Sequence, residues 1–132
     1  MKKQENFEFI QNLNELLSNE TFEFRPTQNK ISVPLLVRIY KKMKAGLEFN
    51  AIKVCENLII DSHHRYIASI LAEKKIASFN WPKNHQQTVF NWNEVSLSSV
   101  DYDDPSEVDY HNFNDAKMNG IDVQYVRNIL KS

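Results

Sequence analysis

Apolar and polar positions follow two different periods along the chain, and these periods predict helices alternating with short strands. In the first segment Phe7, Ile10, Leu13 and Leu17 recur every three or four residues, with polar residues between them. This spacing places the apolar side chains on one face of a helix. It predicts an amphipathic helix from about residue 5 to residue 18.

The second segment contains a short strand pattern and then a helix with signals at both ends. Residues 21–25 alternate apolar and polar side chains and stop at Pro26, which predicts a strand. Ser32 is typical of a helix N-cap, and Pro34 is tolerated in a first helical turn. Gly46 is typical of a helix C-terminus, so we expect the second helix between these two signals.

The central region predicts two strands, a helix and another strand. Residues 51–56 and 58–60 are rich in branched apolar side chains, with Glu56 and Asn57 as a turn between them. Helical spacing follows over residues 63–75, and residues 76–81 again favour a strand. Helices therefore alternate with strands, which predicts an α+β or α/β-like fold with a small mixed sheet and flanking helices.

The last third of the chain carries weaker patterns. Residues 91–97 favour a strand, and residues 101–107 are acidic and predict a solvated loop. Asp122 is a suitable N-cap for a closing helix over residues 123–130. We expect one domain with three parts: an N-terminal helix in residues 1–20, a core in residues 21–82, and an extension in residues 83–132 that packs on the same domain.

The stretch around residues 58–69 carries the strongest chemical signal. An apolar strand ends there in a polar turn, and apolar positions at helical spacing follow. The turn and the first turn of the predicted helix contain five polar side chains, Asp61, Ser62, His63, His64 and Arg65. Helix N-terminal amides and a guanidinium are the usual partners of a phosphate, so we expect an anion site here. An ion pair of Arg65 with a nearby carboxylate, beside ordinary surface histidines, is the alternative.

Residues 59–68 resemble the "DGHHR-x-x-A" signature of the ParB/sulfiredoxin-like superfamily. The order of elements from Lys30 to the strand before the signature is also similar, and the likeness covers about residues 20–82. The resemblance implies a free-standing, single-domain ParB-like protein whose Gly-x-x-Arg turn binds nucleotide phosphates. In this chain that turn corresponds to Ser62, His63, His64 and Arg65, with serine in place of the glycine.

From this resemblance we expect a nucleotide-binding domain that takes ATP or CTP, with Mg²⁺ as an optional ion. If the protein is an enzyme, phosphoryl or nucleotidyl transfer is the expected reaction. The cofactor-binding residues would be those of the turn, Ser62, His63, His64 and Arg65. Candidate catalytic groups are Asp61, His63, His64 and Glu23, the last as an acidic base upstream of the turn. Glu48 is a second upstream acid for that role.

Other chemistries of the superfamily are open to different degrees. Sulfiredoxin-type catalysis is disfavoured, because His63 stands where that chemistry needs cysteine, and Cys55 lies on the preceding strand. A partition-type DNA-reading domain is disfavoured because the acidic tail lacks a basic recognition helix. ParB-like nuclease and ADP-ribosyl transferase activities stay open, since fold alone does not select a chemistry.

A non-catalytic role is the main alternative. The missing glycine at Ser62 and several aromatic side chains in the last third favour a scaffold that binds a protein partner, such as a regulatory or immunity-type factor. These aromatic residues are Tyr102, Tyr110 and Phe113.

Charge and composition limit the partners and the location that we expect for the protein. The formal net charge of -1 makes nucleic acid an unlikely partner, and the lysines at 41, 42 and 44 are interpreted as solvated helix surface. Cys55 is the only cysteine, which favours a reducing, cytoplasmic location. No stretch approaches the roughly 20 apolar residues of a membrane span, so we expect none.

Overall fold

A computed structural model describes residues 3–18, 22–82 and 88–132, and in these ranges the chain forms five α-helices and two small sheets. The helices are α1 (Lys3–Ser18), α2 (Val33–Lys44), α3 (His63–Leu71), α4 (Pro105–Asn119) and α5 (Val123–Lys131). The strands are β1 (Lys30–Ser32), β2 (Ile52–Cys55), β3 (Leu58–Asp61), β4 (Ser78–Asn80) and β5 (Ser96–Ser98). This arrangement confirms the predicted α+β class.

The larger sheet has the strand order β3-β2-β4. Strands β2 and β3 are antiparallel and are joined by the predicted turn at Glu56 and Asn57, while β4 runs parallel to β2. Ile52 and Val54 point into the core, and Lys53 between them points to the opposite face. This alternation follows from the two-residue period of a strand. Helix α3 leaves directly from the end of β3.

The smaller sheet pairs β1 with β5 in parallel, with Ile31 opposite Leu97. Ser32 ends β1 and caps α2, because its Oγ accepts a hydrogen bond from Leu35 N at 3.4 Å. Gly46 follows the end of α2 with a φ of +97°, a conformation in which glycine has no steric penalty. The predicted start and end of the second helix are thus confirmed.

The main core lies between the larger sheet and helices α1, α2 and α3. Its fully buried side chains come from every one of these elements and from β1, and they include Leu13, Ile31, Leu36, Ile52, Ile59 and Ile67. A second, smaller apolar cluster of Leu47, Ala116 and Val126 joins α4 and α5 to the segment after α2. The last third of the chain therefore packs on the rest of the fold, although through much less buried apolar surface.

Four boundaries differ from the sequence prediction. The strand predicted at residues 21–25 is reduced to one bridge between Arg25 and Leu58 in its described part, and Thr21 lies outside the described residues. Helix α3 stops at Leu71, where Glu73 takes a positive φ of 56°, so the predicted extension to residue 75 is wrong. Residues 91–97 are a 3₁₀ turn (Trp92–Glu94) followed by β5 rather than one strand.

The fourth difference concerns the acidic segment at residues 101–107. Helix α4 begins within it, because the Asp104 side chain accepts from Glu107 N at 2.9 Å while the Glu107 side chain accepts from Asp104 N. This capping box satisfies two backbone donors at the helix start. Asp101 and Asp103 bind Arg38 of α2, and every residue of the segment except Asp103 is exposed, so the prediction of a solvated loop is wrong only from Pro105 onward, where the helix begins.

Candidate functional site

The turn between β3 and α3 has a left-handed residue at its centre. Ser62 adopts φ +77° and ψ 40°, a region that is costly for a residue with a Cβ and normal for glycine. Asp61 Oδ1 accepts a hydrogen bond from Ser62 N at 2.8 Å. Ser62 occupies the N-cap position, as its residue type predicts, but its side chain makes no capping hydrogen bond. The serine therefore keeps a glycine-like turn without glycine.

Arg65 holds this turn from inside the first turn of α3. Its Nη2 donates to Ser62 Oγ, and its Nη1 donates to the carbonyl of Asn50 at 3.1 Å. Burial lowers the pKa of the guanidinium, and the carboxylates of Asp61 and Asp115 act in the opposite direction. Among the described residues Arg65 forms no salt bridge, and the oxygen atoms that accept its hydrogen bonds are neutral.

His63 points into the protein. It is 3% exposed, and its Nε2 accepts from the backbone N–H of Thr27 at 2.9 Å. A backbone N–H can only donate, so Nε2 is the acceptor and the ring proton is on Nδ1. The Thr27 hydroxyl donates to the carbonyl of Ile59 at 2.7 Å. The imidazole thereby ties the start of α3 to the segment before β1.

His64 makes a matching connection on the other side of the turn. Its Nε2 accepts from Ser32 N at 2.9 Å, and the ring of Tyr102 packs edge-on against it with 5.7 Å between the ring centroids. Neighbouring helical side chains point about 100° apart. The two histidines accordingly reach different partners, as the sequence predicts for adjacent positions.

Both imidazoles are held neutral. Burial, together with the neighbouring His64, lowers the pKa of His63 to about 4, against the opposing effect of Asp61. Burial likewise lowers the pKa of His64 to about 4, against the opposing effect of Asp103. Each Nε2 is an acceptor of a backbone N–H, a contact that protonation would remove. Near neutral pH the two histidines therefore add no positive charge to the turn.

The turn opens into a cavity of about 450 Å³ between α2, α3 and α4. This volume lies within the usual range of small-molecule sites. Three groups of polar side chains line it: Asp61, Ser62, His64 and Arg65 from the turn, Arg38 and Lys42 from α2, and Asp103, His111, Asn114 and Asp115 from or just before α4. Of the turn residues proposed from the sequence, His63 is not among those that line the cavity.

The cationic groups on α2 are engaged by carboxylates. Arg38 binds Asp101 through two hydrogen bonds of 2.6 and 2.8 Å and also contacts Asp103 at 3.3 Å. The amine of Lys42 lies 2.6 Å from Asp115 Oδ2 and is almost fully buried, so its interpretation as solvated helix surface is wrong. Arg65 differs from both, because its hydrogen bonds go to uncharged oxygens.

The wall formed by α4 faces the turn with one half-exposed histidine. His111 Nε2 lies 3.8 Å from Asp103 Oδ2. Asn114 also lines the cavity, and it directly precedes Asp115, the partner of Lys42. His111 and Asn114 were not predicted from the sequence. For Arg38 and Lys42 the sequence does contain a signal, because their i, i+4 spacing puts two cations on one side of a helix.

Glu23 does not join the turn. It lines two other cavities together with Phe22 and Phe24, and the residues that line those cavities include none from 61 to 65. Glu48 lies just outside the α2 end, where its backbone N–H and carbonyl bind the side chain of Asn119. The structure therefore brings neither upstream acid into the cavity that contains Arg65.

Within the described ranges, His, Cys, Asp and Glu side chains form no group of three or more that could hold a metal ion. In the same ranges no helix has both the length and the apolar character needed to cross a bilayer. Comparisons of this chain with protein-family models, with curated proteins and with solved structures give no match. The superfamily resemblance remains a prediction from the sequence, and the geometry of the turn is the main basis for a functional proposal.

Proposed function

We propose that the protein binds a nucleotide, with its phosphates at the turn Asp61 to Arg65 and in the adjoining cavity. The observation that carries the proposal is the glycine-like conformation of Ser62 beside a guanidinium that has no carboxylate partner among the described residues. Such a turn directs helix N-terminal amides and the guanidinium toward one anion. The resemblance of residues 59–68 to a phosphate-binding signature supports the same ligand class.

The hydrogen bonds of Arg65 suggest how an anion would enter. Ser62 Oγ and the Asn50 carbonyl are neutral acceptors, and a phosphate oxygen forms a charge-assisted hydrogen bond about twice as strong. A phosphate would therefore displace the serine hydroxyl from Nη2 while the Asn50 contact keeps the guanidinium in place. The α2 cations keep their carboxylate partners and contribute little net attraction, so Arg65 carries most of the selectivity for anions.

The direct test is binding of ATP and CTP by calorimetry to wild type, Arg65→Lys and Arg65→Ala. Arg65→Lys should weaken binding about 10-fold or more, because an ammonium group cannot reproduce a planar two-bond contact. Arg65→Ala should weaken it further. Arg127→Ala removes an arginine outside the cavity and serves as the control. Equal binding by wild type and both Arg65 variants would refute the phosphate site.

Ser62→Gly tests the turn itself. Glycine adopts a positive φ without penalty and removes the hydroxyl that occupies Arg65 Nη2. We expect tighter nucleotide binding than in wild type, measured in the same titration. Ser62→Ala removes the same hydroxyl but keeps the Cβ, so it separates the hydroxyl effect from the backbone effect. Weaker binding by Ser62→Gly would mean that the hydroxyl itself contacts the ligand.

Phosphoryl or nucleotidyl transfer is a further part of this proposal, and Asp61 is the residue that tests it. Its carboxylate lines the cavity and accepts a hydrogen bond from Ser62 N. Asparagine can accept the same bond without the charge. Asp61→Asn that binds nucleotide like wild type but no longer turns it over would assign the carboxylate a role in catalysis or in holding Mg²⁺.

One observation favours a second candidate function, a protein-interaction module without catalysis. The two α2 cations of the cavity are already paired, and exposed aromatic side chains lie on α4 at Tyr110 and Phe113. Exposed aromatic residues are over-represented at protein interfaces. If no nucleotide binds even to Ser62→Gly, and Tyr110→Ala abolishes capture of a partner from the native cell, this candidate replaces the first.

A further inference from the structure

The exposed face of the larger sheet carries two aromatic rings and a lysine in one row with the turn. Lys53 on β2 lies directly between Asp61 on β3 and Phe79 on β4. Lys53 and Phe79 are regular partners whose side chains point to one face, whereas the β2–β3 register shifts between Lys53 and Val54, so Asp61 lies opposite Lys53 at a bulge. Asp61 also lines the cavity of the turn. The pairing therefore leads across the sheet backbone from Asp61, which lines the cavity on the helix side, to Phe79 of β4, while Lys53 points to the open face.

Trp81 extends this row. Its backbone N–H donates to the carbonyl of Val54 at 2.8 Å, which fixes it beside β2. Lys53 Nζ lies 4.4 Å from the centre of the indole ring, and the ring of Phe79 meets the indole edge-on at 5.9 Å. We call Lys53, Phe79 and Trp81 the aromatic face. Phe79 is 41% exposed and Trp81 is 46% exposed, so both side chains are accessible to solvent in part.

The aromatic face has the chemistry of a nucleobase platform. Aromatic side chains stack on any base through their π surfaces, and a lysine beside them attracts the phosphate groups of the same ligand. Neighbouring strands are about 4.8 Å apart, so the step from Asp61 to Phe79 crosses about 10 Å. A nucleoside triphosphate is an extended molecule with its anionic chain and its base at opposite ends, which matches the two ends of this row.

We propose that the indole of Trp81 stacks on the base of the nucleotide whose phosphates bind at Arg65, and that Phe79, whose ring stands at 84° to the indole, contacts the same base edge-to-face. The inference rests on the proposed function, and it adds a subsite that the turn signature does not contain. Stacking uses the face of the base and not its hydrogen-bonding edge. The site is therefore selective for nucleotides over inorganic polyphosphates and only weakly selective among bases.

Calorimetry with ATP and with sodium tripolyphosphate, at one fixed Mg²⁺ concentration, separates the two ends of the site. Wild type should bind ATP more tightly than tripolyphosphate. Phe79→Ala and Trp81→Ala should each lower the ATP affinity about 5- to 100-fold and leave the tripolyphosphate affinity unchanged. Phe7→Ala, which truncates an exposed ring on α1, is the matched control and should change neither affinity. Circular dichroism and thermal unfolding confirm that the variants fold.

Tryptophan fluorescence gives an independent readout. The chain has two tryptophans, and Trp92 is buried with its Nε1 bound to the Phe24 carbonyl. ATP should therefore quench Trp81, and Trp81→Phe should abolish the quench while calorimetry still detects binding. A quench that persists in Trp81→Phe contradicts stacking at this position.

The outcomes also separate this inference from the proposed function. If wild type binds ATP in an Arg65-dependent manner but Phe79→Ala and Trp81→Ala bind it equally well, the base subsite is wrong and the phosphate site stands. If wild type binds neither ATP nor tripolyphosphate, or binds both independently of Arg65, the proposed function fails and the base subsite fails with it.

Discussion

The two halves of the fold are held by different forces. The part from α1 to β4 encloses the main core, in which side chains such as Leu36, Ile59 and Ile67 are completely buried. The hairpin of α4 and α5 contributes two buried apolar side chains, Ala116 and Val126, which pack on Leu47, and it also attaches to α2 through charged and polar contacts. These contacts are Arg38 with Asp101 and Asp103, Lys42 with Asp115, and Lys41 with the carbonyls of Leu130 and Ser132.

The stability of the two halves depends on different conditions. Apolar burial contributes free energy in proportion to area and does not depend on salt or on the charge state of neighbours. Ion pairs contribute little net energy but fix orientation. Asn112 of α4 adds to this contrast, because its buried Oδ1 has no hydrogen-bond partner within the described residues. The proposed phosphate cavity lies between a rigid half and a wall that is held electrostatically.

The largest effect should come from the core. Ile59→Ala removes a completely buried side chain from β3, and large-to-small core changes of this type cost about 2–5 kcal/mol. We expect the urea midpoint of global unfolding to fall accordingly. A loss below about 1 kcal/mol would indicate that the core of this half is not the main source of stability, and the contrast with the hairpin would fail.

Acid should weaken the same half next. Burial lowers the pKa of both His63 and His64 to about 4, below the value of about 6.5 in an unfolded chain. The unfolded state therefore binds more protons between pH 6.5 and 4, and the free energy of unfolding decreases as the pH falls through this window. The loss should reach about 2–3 kcal/mol for each histidine.

The control for the acid effect is His63→Gln, since a glutamine oxygen can accept the Thr27 N–H without titrating. It should flatten the pH dependence of unfolding by roughly one proton.

The Arg38 contact behaves differently, because hydrogen bonding to Arg38 lowers the pKa of Asp101. The stability that this contact contributes is fully present above the pKa of an unfolded aspartate. It is lost as the pH falls through the lower pKa that Asp101 has in the folded protein. Acid should therefore weaken the histidine ties before it weakens the attachment of α4.

The smallest effect should come from the ion pairs of the hairpin. Lys42→Met leaves Asp115 partly buried without its partner, which should cost about 1–3 kcal/mol and speed hydrogen exchange of the α4 amides. Arg127→Gln breaks a more exposed pair with Asp109 and should leave the melting temperature unchanged. If the two variants lose the same stability, burial of the Lys42 pair is not what distinguishes them.

Most of the first half could be predicted from the sequence because its local patterns agree with its tertiary environment. The apolar periodicity of α2 and α3 coincides with their buried positions, and the predicted turn at Glu56 and Asn57 is an exposed turn between β2 and β3. Helix α4 was missed for the opposite reason. Asn112 and Ala116 face inward while Tyr110 and Phe113 face solvent, so its pattern is not amphipathic. The sequence Asp104-Pro105-Ser106-Glu107 was the available signal, as a capping box with proline at the first helical position.

The candidate site was predictable only in its continuous part. Asp61, Ser62, His64 and Arg65 are neighbours in sequence and line one cavity. Their partners come from distant segments, and no local rule places Asn50 at Arg65. The same limit applies to His63, whose partner is Thr27. A positive φ at Ser62 is also set by tertiary contacts, since serine has no intrinsic preference for it.

The parallel pairing of β1 with β5 has a consequence for how the chain folds. The hydroxyl of Ser32, at the end of β1, donates to the carbonyl of Val100, 68 positions away in sequence. The same oxygen accepts a hydrogen bond from the N–H of Leu35 in the first turn of α2. Closing so long a loop costs entropy before its contacts are repaid, and contacts of high sequence separation slow folding. We therefore expect the β2–β3 hairpin and α3 to form early, with β5 joining late. A nascent chain that has emerged only as far as β4 would expose the edge of β1 until β5 arrives.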